Sequence, residues 1–220
     1  MTEGPQRIRV INPNSNSDIT RSIDEALAGL RFRDGPAITC STLAEGPRGI
    51  ETQAHVEQVV LPLLQAIRRD ESSSAFVIAC YSDPGLSACR EATARPVLGI
   101  AECGVLSALA RADTFGVIAI RSLSIRRHLR YLRQMSLLDR LAGERPLEMS
   151  VEDSAGAGES FARMADVGRA LRDVDGAGAI VMGCAGMARH RRALEAELGV
   201  PVIDPTQAAV AMAVGVLTAG

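Results

Sequence analysis

The sequence contains no lysine: all 24 of its lysine-plus-arginine residues are arginine. A pyridoxal phosphate enzyme needs a lysine for its Schiff base, so that cofactor route is closed. A phosphate loop ending in Gly-Lys-Ser/Thr is closed as well. Tryptophan is absent and aromatic residues make up only 3% of the chain, which leaves few rings for stacking on bases. A formal charge of −2 lacks the positive surplus that phosphate backbones attract. These absences together exclude a nucleic-acid partner. His55, His128 and His190 show no metal-ligand spacing with one another or with cysteine, so neither a metal nor an organic cofactor is expected. No apolar run spans a bilayer, the Ala-rich stretch Gln207 to Leu217 being too short. The first residues, Met-Thr-Glu-Gly-Pro-Gln-Arg, lack the apolar core and cleavage site of a signal peptide. A cytoplasmic protein without a membrane partner is expected, and its five cysteines then read as free thiols.

What is present is an alternation of strand-like and helix-like runs over 220 residues, enough for one large or two small α/β domains. Strands are expected at Arg7 to Asn12, Ala37 to Ser41, Ser74 to Cys80, Val97 to Ile100, Thr114 to Ile120, Leu147 to Val151, Gly178 to Cys184 and Val200 to Ile203. Helices are expected between them. These include Ser17 to Leu30, capped by Ser15 or Ser17, one long helix from Glu51 to Arg69, and Phe161 to Arg172 after a Gly-rich loop at Ser154 to Ser160. Such alternation specifies parallel sheets covered on both faces, with ligands beyond the carboxyl ends of the strands.

Two cysteines organise this pattern. Ser74-Ala-Phe-Val-Ile-Ala-Cys80 and Gly178-Ala-Ile-Val-Met-Gly-Cys184 are matching apolar runs, each delivering a thiol to the turn before a helix. Pro96 follows Cys80 and Pro201 follows Cys184 at spacings that differ by one residue. We read an internal duplication: two pseudo-symmetric α/β lobes with parallel sheets and an active site in the cleft between them. Residues 1–104 plus 205–220 form the first lobe and 105–204 the second, with the closing helix packing back on the first. A thiol from each lobe can present an acid and a base to opposite faces of one small molecule, as inversion of a stereocentre requires. A buried cysteine is often only a small hydrophobe. The paired placement sets Cys80 and Cys184 apart, and Cys40, Cys89 and Cys103 are taken as structural. The Arg-rich stretch has Leu123, Ile125, Leu129 and Leu132 at near-helical spacing, so Arg126, Arg127, Arg130 and Arg133 read most simply as a solvated face, with a lid or subunit contact as the sharper alternative.

Several motifs, in order along nearly the whole chain, resemble the hydantoin and allantoin racemases of the aspartate/glutamate racemase superfamily. They are Ile11-Asn-Pro-Asn-Ser15, Gly46-Pro47 ahead of Ile50-Glu51, Ile78-Ala-Cys-Tyr-Ser-Asp-Pro-Gly-Leu86, Gly99-Ile-Ala-Glu102 and Gly183-Cys-Ala-Gly-Met187. The resemblance implies a bilobed fold and a cofactor-independent racemase using Cys80 and Cys184 as paired acid and base. Asn14, Gly46, Pro47, Tyr81, Ser82, Ile120, Ala185 and Gly186 are the expected substrate-binding positions. A small-molecule substrate and a homo-oligomer are the expected partners. The residues after the cysteines depart from the amino-acid racemases, which commonly carry Asn/Thr or Thr/His there. Ala185-Gly186 offers only backbone N–H groups, which suits a neutral ring carbonyl, that of a 5-substituted hydantoin or of allantoin. Alternatives remain within the superfamily, all acting on a small carboxylate: an amino-acid racemase, a maleate cis-trans isomerase or an arylmalonate decarboxylase. An arylmalonate decarboxylase keeps only one of the two cysteines, whereas a maleate isomerase keeps both. A non-enzymatic binding module would have no need of two opposed thiols. Asp83 and Glu102 are left open between capping helices and tuning the thiols.

Overall fold

A computed structural model of the chain, describing residues 6–154 and 159–219, contains two four-stranded parallel sheets. The strands of the first are β1 (Arg7–Asn12), β2 (Ala37–Thr42), β3 (Ala75–Ile78) and β4 (Val97–Gly99), in the order β2-β1-β3-β4. Those of the second are β5 (Phe115–Ala119), β6 (Leu141–Pro146), β7 (Ala179–Met182) and β8 (Val202–Ile203), in the order β6-β5-β7-β8. The two orders are the same, so the chain winds each lobe in the same way. The central strands β3 and β7 are buried along their whole length, as strands covered on both faces must be.

The helices are α1 (Ser17–Ala26), α2 (Gln53–Gln58), α3 (Val60–Arg69), α4 (Leu86–Glu91), α5 (Ile100–Leu109), α6 (Ser122–Gln134), α7 (Val151–Ser154), α8 (Glu159–Asp173), α9 (Arg191–Leu198) and α10 (Pro205–Ala219). Helix α5 leaves the first sheet and packs on β5, β7 and β8 of the second, and α10 leaves the second and packs on β1, β3 and β4 of the first. One apolar core, including Val10, Val77, Ile100, Met182 and Val210, therefore runs through both lobes.

Several elements differ from the sequence-based expectation. The strand expected at Leu147 to Val151 lies earlier, at Leu141–Pro146. It is an edge strand of intermediate burial throughout that carries Glu144 and Arg145, so the apolar alternation that marks a buried strand is missing. The single helix expected from Glu51 to Arg69 is split at Val59 into α2 and α3. The cap of α1 is Asn16, whose side chain accepts the Asp18 N–H at 3.0 Å, rather than Ser15 or Ser17. Most of the Gly-rich segment expected as a loop, residues 155–158, lies outside the described residues. Among the described residues no helix is long and apolar enough to cross a membrane.

Candidate active site

The two thiols occupy register-equivalent points. Ile78 of β3 pairs with Ile11 of β1, and Met182 of β7 pairs with Ile118 of β5. Cys80 and Cys184 each lie two residues beyond those pairs, past the carboxyl end of a central strand. Both line one cavity with about 460 Å³ of unoccupied space, its mouth included. Asn14, Tyr81, Ser82, Ile120, Ala185 and Gly186 line it as well. Cys40, Cys89 and Cys103 do not.

Gly46 and Pro47 stand one layer out. The Pro47 carbonyl accepts the Ser15 N–H at 2.9 Å, and a Cβ on Gly46 would lie 2.2 Å from the Pro13 carbonyl oxygen. Their close approach holds the turn that carries Asn14. The Asn14 Oδ1 already accepts from Asn12 Nδ2 and from the Asn16 N–H, both at 2.9 Å. Only its amide N–H groups are left for a ligand, so the side chain acts as a donor.

The electrostatic surroundings of the thiols differ. Burial pushes Cys80 up to about 12, opposed by the Ser82 backbone N–H; the nearby Cys184 raises it further and the Arg127 guanidinium lowers it. Burial also raises Cys184, opposed by the Gly186 N–H and by Ser154, while Glu51 and Asp204 push it further up. The Cys184 Sγ accepts that Gly186 N–H at 3.4 Å as the cap of a 3₁₀ turn over Ala185–His190. Cys80 has no such cap role, because the next helix, α4, begins only at Leu86. A helix start alone therefore does not offset the burial of either sulfur.

Helix α6 corrects the reading of the Arg-rich stretch. Leu123 is 67% exposed, whereas Ser124, Arg127 and His128 are buried and line the cavity. Arg127 Nε donates to Ser82 Oγ at 2.8 Å, and His128 Nδ1 lies 2.5 Å from Glu144 Oε1. Of the expected apolar face Leu132 is buried and Ile125 and Leu129 are half-buried, but Leu123 faces solvent, and Ser124 and His128, one turn apart, share the buried side with Arg127. Arg126, Arg130 and Arg133 are exposed, as expected. Ile19, Ile50 and Val151 form an apolar wall that the sequence reading also missed.

Asp83 and Asp204 are helix caps. The Asp83 carboxylate accepts the Ala101 and Glu102 N–H groups, both at 2.9 Å, at the start of α5. Asp204 accepts the Thr206 and Gln207 N–H groups at the start of α10, at 2.7 and 3.1 Å. A Cβ on Gly99, which precedes α5, would stand 2.3 Å from the Asp83 carboxylate, so Asp83 supplies from afar the cap that Asp204 supplies from its own place in the chain. Glu102 pairs with Arg90 at 2.9 Å. Among the described residues no group of three His, Cys, Asp or Glu side chains is placed to hold a metal ion.

A sequence model described as Asp/Glu/Hydantoin racemase matches residues 8–213. A hydantoin racemase of Paenarthrobacter aurescens is 38% identical over 97% of this chain and 92% of its own length. A hydantoin racemase of Pseudomonas sp. (strain NS671) is 36% identical over 97% of this chain and 87% of its own length. The solved structure of an allantoin racemase from Klebsiella pneumoniae superposes with a TM-score of 0.90 at 32% identity, covering 98% of this chain and 89% of that one.

Proposed function

The chain belongs to the Asp/Glu/Hydantoin racemase family, and from that membership we propose that it racemises a cyclic ureide, a 5-substituted hydantoin or allantoin, by a two-thiol mechanism. The observation that carries this reading is the placement of Cys80 and Cys184, register-equivalent in the two sheets and facing one cavity. In the reaction one sulfur, as thiolate, takes the proton from the ring carbon next to the carbonyl, and the electron pair of that C–H bond moves onto the carbonyl oxygen. The opposite thiol then gives its proton to the other face of the carbon, the carbonyl re-forms, and the two sulfurs have exchanged protonation states. An anion at Cys80 is repelled by Cys184 and Asp83 and attracted by Arg127, whereas one at Cys184 is repelled by Glu51 and Asp204. With the Ser82 and Gly186 N–H groups donating to the two sulfurs, the Asn14 amide N–H groups are the donors suited to a ring carbonyl as its charge develops.

We also divide the chain into lobes at residues 1–104 plus 205–220 and 105–204; the packing of α10 on β1 and β3 supports this division. The test of the reaction is a panel of single enantiomers, of hydantoins, allantoin, aspartate and glutamate, followed by loss of optical rotation. The cyclic compounds should racemise far faster than the free amino acids. Equal rates, or no racemisation of any ring compound, would overturn the reading.

A further inference from the structure

Arg127 is the unusual group in this cavity. Its side chain is buried among the lining residues of a site whose expected ligand ring is neutral. Its acceptors are two hydroxyls, Ser82 Oγ at 2.8 Å from Nε and Ser124 Oγ at 3.4 Å from Nη2. No carboxylate lies within ion-pair distance of it among the described residues, in contrast to Arg9 with Asp70 at 3.1 Å or Arg145 with Asp175 at 2.6 Å. The anionic groups whose charge acts on it are the Cys80 sulfur first and then Glu144, whose Oε1 is committed to His128 and whose buried Oε2 has no hydrogen-bond partner, and neither forms an ion pair with the guanidinium. A guanidinium has five N–H donors, and two hydroxyls use a minority of them. A buried cation costs stability unless an anion accompanies it. The cavity itself is where that anion can enter.

We propose that the substrate's substituent is anionic, a carboxylate-bearing side chain on the ring carbon, and that Arg127 seats it with Ser82 and Ser124. The inference rests on the racemase reading above and adds a substrate class to it. The planar fork of arginine matches a carboxylate bidentately, and the flanking hydroxyls supply further donors to it. The remaining wall, Ile19, Ile50 and Val151, is apolar and suits the methylene stem of such a side chain.

The test compares 5-(2-carboxyethyl)hydantoin with 5-(2-carbamoylethyl)hydantoin, which has the same shape without the charge, in the wild type, R127Q and R127K. Wild-type kcat/KM for the carboxylate should exceed that for the amide by about 10- to 100-fold, the range of a charge-assisted hydrogen bond, and the gain should lie mainly in KM. The ratio should fall toward one in R127Q and recover in part in R127K. Calorimetric binding of both compounds to the wild type should show the same preference and needs no variant to fold. A wild type that favours the amide, or treats the two alike, overturns the inference. So does an R127Q that loses the same factor on both compounds, which would make Arg127 a partner of the Cys80 sulfur alone. If the amide racemises without a carboxylate preference, only the substrate class fails; if neither racemises but the carboxylate binds more tightly, only the racemase reading does.

Discussion

Gly46 and Pro13 touch so closely that a single methyl group on the glycine would stand 2.2 Å from the proline carbonyl oxygen. That carbonyl is backbone and cannot swing aside, so Gly46→Ala must displace the turn that carries Asn14. We expect a stability loss of about 1–3 kcal/mol, as for overpacking elsewhere, together with a fall in kcat/KM. Chemical denaturation and steady-state kinetics check this, and a variant unchanged in both would show that the contact is dispensable.

The two thiols of the site, Cys184 buried and Cys80 half-buried, should resist alkylation at neutral pH. With Cys80 pushed up to about 12 by burial, its thiolate fraction rises about tenfold per pH unit below that value. Inactivation by iodoacetamide in the substrate-free enzyme should therefore accelerate from pH 7 to pH 10 without a plateau, with peptide mapping locating the label on Cys80. A plateau near pH 8 would mean that the free site already holds a thiolate.

The two capping carboxyls give stability a definite pH dependence. Burial raises Asp83 to about 7 and Asp204 to about 6 from an ordinary 3.8. The folded state thus binds these protons more tightly than the unfolded chain does. The stabilisation is complete below the ordinary value and is lost as pH rises through the folded values. Asp70, held below the ordinary range chiefly by its serine and arginine hydrogen bonds against the cost of burial, contributes a constant amount in this window. The melting temperature should rise by at least about 2 °C from pH 8 to pH 5.5, and by less in Asp204→Asn. A flat or falling profile would contradict the assignment.

The parts of this molecule that were legible beforehand are those set by chain periodicity. The apolar runs ending at Cys80 and Cys184 are central strands, buried on both faces, and hydrophobicity reports such strands directly. Their turns carry Tyr81, Ser82, Ala185 and Gly186 into the cavity by connectivity alone. Strand β6 was misplaced because an edge strand need not be apolar. Arg127 was misread because α6 covers the polar cavity as well as the core, so its buried side carries Ser124, Arg127 and His128 beside Leu132 while Leu123 faces solvent. The remote caps, Asp83 onto α5 above all, depend on a tertiary approach across Gly99 that no local pattern encodes.

The opposed-thiol mechanism is tested most directly by following deuterium from solvent into single enantiomers with Cys80→Ser and Cys184→Ser. Each variant removes the sulfur that serves one face, the base for one enantiomer and the acid for the other, so each should abolish racemisation. With one thiol left, a proton can still be taken and returned on a single face. We therefore expect exchange without inversion, confined to one enantiomer and to opposite enantiomers in the two variants. Near wild-type racemisation in either variant, or exchange of the same enantiomer in both, would contradict the account.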